Sequence, residues 1–320
     1  MRRFIVAALA GWFLLVSGAE RASAAEKLLS FATASLGGSW AVAGAGISKI
    51  LTEKIAGVTI KAESTAGAVG NNQLVDSGQS DIGLTVERIT YLATTGAGPF
   101  KGKKHPSVRM LLSGFSIGVL QMAALEGSGI KSFGDLKGKR VSAGPAQGGG
   151  LPALVSALDA YGLTMKDLKV SYLNYSQGKS ALVDGNIDAS LNYAAVPVPA
   201  LKELQASGRK WLLVAMGADK MKAVEQKFKG YIRYDIPGNV YGVSEDTITI
   251  GARNGLIVNA KLDNQLVYQI IKTIDQNLDE VKKIHPSLRW MDRKRFAGVT
   301  IPVPYHPGAA RYYKEAGLMK

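Results

Sequence analysis

The chain has 320 residues, a formal net charge of +14 and no cysteine. This length allows two domains of ordinary size, and the lack of cysteine excludes disulfides and thiolate metal sites. The lysines and arginines are spread along the whole chain and are not interleaved with aromatic residues. We therefore interpret the charge as a solvated basic surface that can attract anionic solutes, and we expect no nucleic-acid partner.

The first 25 residues show the segment order of a secretory signal. Basic residues at positions 2 and 3 precede an apolar stretch over residues 4–16, and small residues follow at 22–25. The apolar stretch is shorter than the roughly 20 residues that a membrane span needs. We predict a signal peptide over residues 1–25 and a periplasmic mature chain. An uncleaved N-terminal anchor is the alternative.

Strand and helix signals alternate from residue 28 onwards, which is typical of an α/β protein. In the first part, we predict strands at residues 28–33, 58–63 and 81–86 and helices at 40–54, 67–79 and 87–94. Glycine, proline and lysine over residues 95–106 indicate an exposed loop.

Two extended passages are expected to carry the chain between two lobes. The first comprises residues 108–113 and 118–125, and the second comprises Tyr241 and residues 247–258. Between them we predict strands at 139–143, 170–173, 188–192 and 211–215 and helices at 130–136, 151–161, 176–184 and 198–207; closing helices follow at 263–278 and 308–316. The expected domains are a discontinuous first lobe, residues 26–115 and 241–320, and an inserted second lobe, residues 116–240.

Residue patterns typical of catalysis are missing. The three histidines, at positions 105, 285 and 306, are far apart in proline-containing loops, so we predict no metal site. The chain contains no nucleophile elbow, phosphate-binding loop or dinucleotide-binding glycine pattern, and nothing pairs two carboxylates. We predict a protein that is not an enzyme and binds no cofactor. An enzyme on a binding-protein fold is the rival, which turnover of a bound metabolite would reveal.

Two glycine turns have a physical reason to hold a ligand. Gly37-Gly38-Ser39-Trp40 and residues 144–150 each follow a predicted strand and precede a predicted helix, one in each lobe. The first N–H groups of a helix lack partners and carry a partial positive charge, so they can hold a carboxylate. Ordinary turns with an N-cap are the alternative, because Ser39 is a good cap residue.

The mature sequence resembles the TAXI-type extracytoplasmic solute receptors of TRAP transporters. The resembling segments are residues 34–40, Glu63-Ser64-Thr65-Ala66-Gly67, Gly70-Asn71, residues 78–83, 135–141 and 184–189, and most specifically residues 306–318, which begin His306-Pro307-Gly308. The resemblance implies a type II periplasmic-binding-protein fold with a ligand cleft between the lobes. It also implies delivery of a small carboxylate, oxoacid or amino acid to an ion-driven membrane permease. We expect a monomer; a ligand sensor for a signalling system is the alternative.

The family's ligand contacts would fall on residues of both lobes. They map onto Gly38, Ser39 and Trp40, onto Ser64, Thr65 and Asn71, and onto Gln147, Gly148 and Gly149. Tyr193 and Tyr241 are further candidates for cleft aromatics, with a packed or rim position as the alternative for each.

The chain departs from the family pattern at two places. Val86, Glu87 and Arg88 stand where the family carries Gln, a small residue and Asp, and Gly148-Gly149-Gly150-Leu151 lacks the usual hydroxyls. Losing an acid and gaining Arg88 suits a ligand without an ammonium group. Our hypothesis is a dicarboxylate or oxoacid whose anionic end meets Arg88 or the glycine loop. Pairing of Arg88 with Glu87 or another acid on a helix surface is the alternative.

Overall fold

The computed structural model describes residues 26–320, so the predicted signal peptide lies outside the described residues. The strands are β1 (Lys27–Ala32), β2 (Val58–Glu63), β3 (Ile82–Val86), β4 (Val108–Leu125), β5 (Arg140–Ser142), β6 (Lys169–Ser171), β7 (Ala189–Ala194), β8 (Trp211–Leu213), β9 (Ile232–Ile236) and β10 (Thr247–Asn259). The helices are α1 (Ser39–Lys54), α2 (Ala68–Ser77), α3 (Glu87–Thr95), α4 (Gly150–Ala160), α5 (Tyr175–Val183), α6 (Pro199–Ala206), α7 (Ala218–Lys227), α8 (Asn264–Gln276), α9 (Leu278–Ile284) and α10 (Pro307–Glu315).

One mixed sheet runs through both lobes in the order β2-β1-β3-β10-β4-β7-β5-β6, with β8 on β4 and β9 on β10. Parallel strands joined by helices build the outer parts of the sheet, as alternating strand and helix signals predict. Helices cover the faces of such a sheet, so its inner strands are buried on both faces. All five residues of β3 and all six of β7 are buried.

The two extended passages are the long antiparallel strands β4 and β10. The C-terminal half of β10 pairs with β3, whereas its N-terminal half pairs with β9. The second half of β4 pairs with β7 and β8. Both strands therefore cross from one lobe to the other, and the predicted break at residues 114–117 is a bend within one strand, where Gly114 has a φ of +70°.

Several elements differ from the sequence predictions. Helix α7 was not predicted because charged residues dominate it and only Met221 and Val224 are buried. Strand β9 was not predicted either. The single helix expected over residues 263–278 is divided, since Asn277 ends α8 and begins α9 outside the helical region, at φ −115° and ψ 26°. Residues 130–136 contain only a 3₁₀ turn, Phe133–Leu136.

Within residues 26–320, we find no helix of the length and apolarity required to span a bilayer.

Candidate ligand site between the lobes

Both glycine turns lie where the two lobes meet. The carbonyl of Gly37 accepts a hydrogen bond from the N–H of Ala200 at the start of α6 (3.1 Å). On the other side, a Cβ atom placed on Gly149 would lie 3.2 Å from Ala68 Cβ and from Val86 Cγ2. Each turn thus contacts the opposite lobe, and the lobes are closed on each other at both helix starts.

The start of α1 carries hydroxyl groups that the fold does not use. Gly38 is the N-cap, so Ser39 is the first helical residue rather than the predicted cap. Ser39 is fully buried, and its Oγ has no hydrogen-bond partner within residues 26–320. The Oγ of Ser35, in the same turn, is buried and unpartnered within that range as well. A buried hydroxyl without a partner is costly, and at the contact between the lobes it is available to bond a ligand. Ser48, further along α1, is buried and unpartnered within residues 26–320 as well, so the position of Ser39 between the lobes is what makes it a candidate.

Trp40 and Tyr193 each contact the two crossing strands β4 and β10. With its amide oxygen facing them, Asn254 of β10 accepts hydrogen bonds from Trp40 Nε1 (3.3 Å), Ser116 Oγ (2.8 Å) and the N–H of Gly118 (2.9 Å). A Cβ atom on Gly118 would lie 2.9 Å from Tyr193 Cε1. Sequence reasoning missed Asn254 and Ser116. The available signal was a polar residue in or beside each extended passage, because Asn254 lies within the second passage and Ser116 lies between the two segments of the first.

Tyr193 is 7% exposed, and its hydroxyl lacks a partner in the described part of the chain. Its backbone is fixed by the hydroxyl of Tyr175, which donates to the Tyr193 carbonyl (2.8 Å) and accepts from the Tyr193 N–H (3.1 Å). Burial raises the pKa of Tyr193 well above its ordinary value. The hydroxyl therefore stays protonated at physiological pH and can donate a hydrogen bond.

The second glycine turn places the start of α4, which has no side chains there, against Tyr193. Gly148, Gly149 and Gly150 are buried, and a Cβ atom on Gly150 would lie 2.6 Å from Tyr193 Cβ. The glycines are therefore required for close approach. The carbonyl of Gln147 accepts from the N–H of Gly70 at the start of α2 (3.1 Å), which is another contact between the lobes.

Ser64 and Thr65, which follow β2, and Asn71, in the first turn of α2, bond within their own lobe. Asn71 is buried, and its Nδ2 donates to the carbonyls of Thr33 (2.8 Å) and Leu84 (2.7 Å) and, at 3.2 Å, to that of Ala32. Its Oδ1 accepts from Thr65 Oγ1 (2.6 Å). Ser64 Oγ donates to the Ala34 carbonyl (3.0 Å). These side chains hold the ends of β1 and β3 together.

Glu87 and Arg88 point to different surroundings. Glu87 is 1% exposed and accepts a hydrogen bond from Ser113 Oγ inside the first lobe, and burial raises its pKa. Arg88 reaches the second lobe, where Nη1 donates to the Lys229 carbonyl and the guanidinium lies 4.8 Å from the ring centre of Tyr231. No ion pair joins Arg88 to an acid in the described part of the chain, so the alternative of a surface pair with Glu87 is wrong.

Tyr241 lies in the core of the second lobe, where it packs edge-on against Trp211 with the ring centres 6.1 Å apart. Its hydroxyl accepts from the Val198 N–H (2.6 Å) and donates to Gln121 Oε1 (2.6 Å). The packed alternative therefore describes Tyr241, which also lies outside the first lobe to which the predicted boundary assigned it.

Comparison with known proteins identifies the family of the chain. The model of the NMT1-like family matches residues 31–317. The chain belongs to the NMT1-like family. Among solved structures, the alkanesulfonate-binding protein from Xanthomonas axonopodis bound to MOPS is 14% identical and has a TM-score of 0.53, with 93% of this chain and 96% of that chain covered.

A binding-protein component of a phosphonate transporter from Pseudomonas aeruginosa is 11% identical and has a TM-score of 0.52, covering 83% of this chain and 80% of that one. At such identities the likeness concerns the fold. It confirms the two-lobed α/β fold of periplasmic binding proteins for this member of the NMT1-like family.

Proposed function

We propose that the protein is a periplasmic solute-binding receptor that closes its two lobes around a small organic anion. The observation that carries the proposal is the contact between the lobes at both glycine turns, together with the buried hydroxyls of Ser39 and Tyr193, which are unpartnered within residues 26–320. The first turns of α1 and α4 contain no acidic residue, so the partial positive charge of each helix start is unopposed there.

The proposed contacts are a subset of the residues expected from the sequence. Ser39, Trp40 and Tyr193 supply donors or ring surface, Gly38, Gly148 and Gly149 allow close approach, and Arg88 supplies a cation. We assign Asn71, Thr65 and Ser64 to positioning of the strand ends, because their polar atoms are already bonded. Gln147 lies on the rim, and Glu87 and Tyr241 are left out of the site.

A ligand that contacts both lobes favours the closed form, because only that form offers all of its contacts. Ligand at 100 times its Kd should add about 2.7 kcal/mol to the free energy of unfolding. A thermal-shift screen with 2-oxoglutarate, glutamate, succinate and other organic anions tests this. A rise of several degrees with one class of anion is expected, and a flat response to all of them would contradict the proposal.

Calorimetry on the wild type and on Arg88→Ala tests the cationic contact. We expect the variant to bind the best anion from the screen at least tenfold more weakly, as charge-assisted hydrogen bonds require. Equal affinities in both proteins would remove Arg88 from the site.

We further propose that the receptor is of the TAXI type and delivers its ligand to a TRAP permease. The support is the resemblance of residues 34–40 and 306–318 to that family. Ligand uptake by membrane vesicles with added receptor should stop when the ion gradient is collapsed and should continue without ATP. Uptake that depends on ATP and survives loss of the gradient would contradict this assignment.

A further inference from the structure

A cavity of about 470 Å³ lies between the lobes beside Arg88. Its walls are mostly apolar and come from both lobes, with Val69 and Leu92 on one side and Leu151, Pro152, Val155 and Phe228 on the other. Sites for small organic molecules have volumes of about 300–1,000 Å³ and are lined mainly by apolar groups, with a few polar groups that set the orientation. The cavity fits that description.

The polar groups of this cavity are gathered at one end. Arg88 Nε and the hydroxyl of Tyr231 are buried there, and neither makes a well-formed hydrogen bond within residues 26–320. The hydroxyl lies beside Arg88 and Ser156, which oppose the rise that burial causes in the pKa of Tyr231. Tyr193 does not line the cavity, but its ring lies beside it: a Cβ atom on Gly149 would lie 3.7 Å from Tyr193 Cδ1 and 3.2 Å from Val86 Cγ2. Arg88 and the hydroxyl of Tyr231 are therefore the polar groups of the wall that a ligand can meet at this end.

The rest of the described wall has no side chain that could pair with a second charged group of a ligand. Arg88 is the single charged side chain among the described residues that line the cavity. Ser156 Oγ, also in the wall, already donates to the Pro152 carbonyl (3.0 Å). A second carboxylate or an ammonium group held against this apolar wall would lose its hydration without gaining a partner.

We propose that the cavity holds the apolar body of a monocarboxylate whose carboxylate group faces Arg88 and the hydroxyl of Tyr231. This inference rests on the proposed function and narrows its ligand class. A monocarboxylate with an aliphatic or aromatic body fits the wall better than the dicarboxylate suggested by the sequence. Because Arg88 and Tyr231 belong to different lobes, such a ligand also favours closure.

A chain-length series tests the apolar wall. The full chain is expressed, and the purified protein is titrated calorimetrically with butyrate, pentanoate, hexanoate and 3-phenylpropionate, and with succinate, glutamate and 2-oxoglutarate. We expect the affinity to rise about fourfold with each added methylene group, as burial of a CH₂ group predicts. An affinity that does not change with chain length, or tighter binding of the diacids than of hexanoate, would overturn the inference.

Two variants with a matched control locate the binding. Val155→Trp fills the cavity and should abolish the dependence on chain length, so that butyrate and hexanoate bind alike. Val42→Trp is the control, because Val42 lies on α1 outside this cavity and is 43% exposed, against 45% for Val155. The Val42→Trp control should retain the fourfold rise in affinity per methylene group. If Val155→Trp shows the same rise, the apolar body of the ligand lies outside this cavity.

Arg88 also contacts Lys229 and Tyr231, so its loss can weaken closure for every ligand. Arg88→Gln should therefore lower the affinity for all monocarboxylates at least tenfold while the step per methylene remains; Arg88→Lys should recover part of the loss. Equal affinity in wild type and Arg88→Gln would overturn the carboxylate contact. If none of the anions binds the wild type, the proposed function itself fails, whereas binding of diacids alone rejects only the monocarboxylate inference.

Discussion

Two regions with the same appearance in the sequence have opposite hydrogen-bonding states in the structure. The first region contains Thr65, which follows β2, and Asn71, in the first turn of α2; their polar atoms bond to one another and to the neighbouring backbone. The helix-start region contains Ser39 and Tyr193, whose hydroxyls are buried and unpartnered within residues 26–320. Both regions are polar and lie at the ends of strands or at the start of a helix. The difference shows that a buried polar residue indicates a ligand only when its own chain leaves it unsatisfied.

The largest expected effect comes from the satisfied region. Asn71→Ala leaves the carbonyls of Thr33 and Leu84 without their donor, so the free energy of unfolding should fall by about 3 kcal/mol or more. Urea unfolding measures this, with Thr65→Ala as a comparison that loses its hydrogen bond to Asn71 and should cost about 1 kcal/mol. If Asn71→Ala keeps its stability and loses ligand binding, the two regions do not differ as described.

The second-largest expected effect is on closure of the two lobes, which a bulky side chain at Gly149 should oppose. Gly149→Leu places a side chain where Ala68 and Val86 of the other lobe already stand 3.2 Å from the Cβ position. If the closed fraction falls to about 1%, the apparent Kd rises about 100-fold. Calorimetry measures the affinity, and small-angle scattering should show a more open molecule. Unchanged affinity would mean that the ligand binds without this contact between the lobes.

Removing an unsatisfied hydroxyl should affect binding and not stability. Ser39→Ala should weaken binding of the anion about tenfold, which is the size of one hydrogen bond to a charged group. The melting temperature without ligand should stay the same, because Ser39 Oγ has no partner to lose among the described residues. Ser48→Ala is the matched control, since Ser48 is on the same helix, is buried and is likewise unpartnered within residues 26–320. Equal affinities of Ser39→Ala and Ser48→Ala would exclude the Ser39 contact.

The smallest effect concerns Glu87, which is buried like the ligand-site groups but faces the first-lobe core. Its pKa is raised by burial above the ordinary value of 4.5, so the folded state holds the proton more tightly than the unfolded state. As the pH rises above 4.5, the unfolded carboxyl ionises first and the wild type loses stability relative to Glu87→Gln. Urea unfolding of both proteins should therefore show a larger advantage of the variant at pH 7 than at pH 4, and a constant difference would contradict this.

Local patterns predicted the architecture well. The alternation of strands and helices, the glycine turns before α1 and α4, and the two passages between the lobes all follow from residue spacing. Such features depend on neighbours within a few positions, so one sequence suffices to predict them. Even the weak element, α7, was missed for a local reason, because its apolar face consists of two buried residues.

The sequence by itself therefore determined the alternation of strands and helices, apart from α7, β9 and the division between α8 and α9, and the family resemblance. Only the tertiary structure decided which polar atoms stay free, that Arg88 reaches Lys229 in the other lobe, and that Tyr241 packs in a core. The physical reason is that hydrogen-bond satisfaction depends on contacts between residues far apart in the chain. Arg88 and Lys229 are 141 positions apart, and no periodicity or motif along the chain records such a contact.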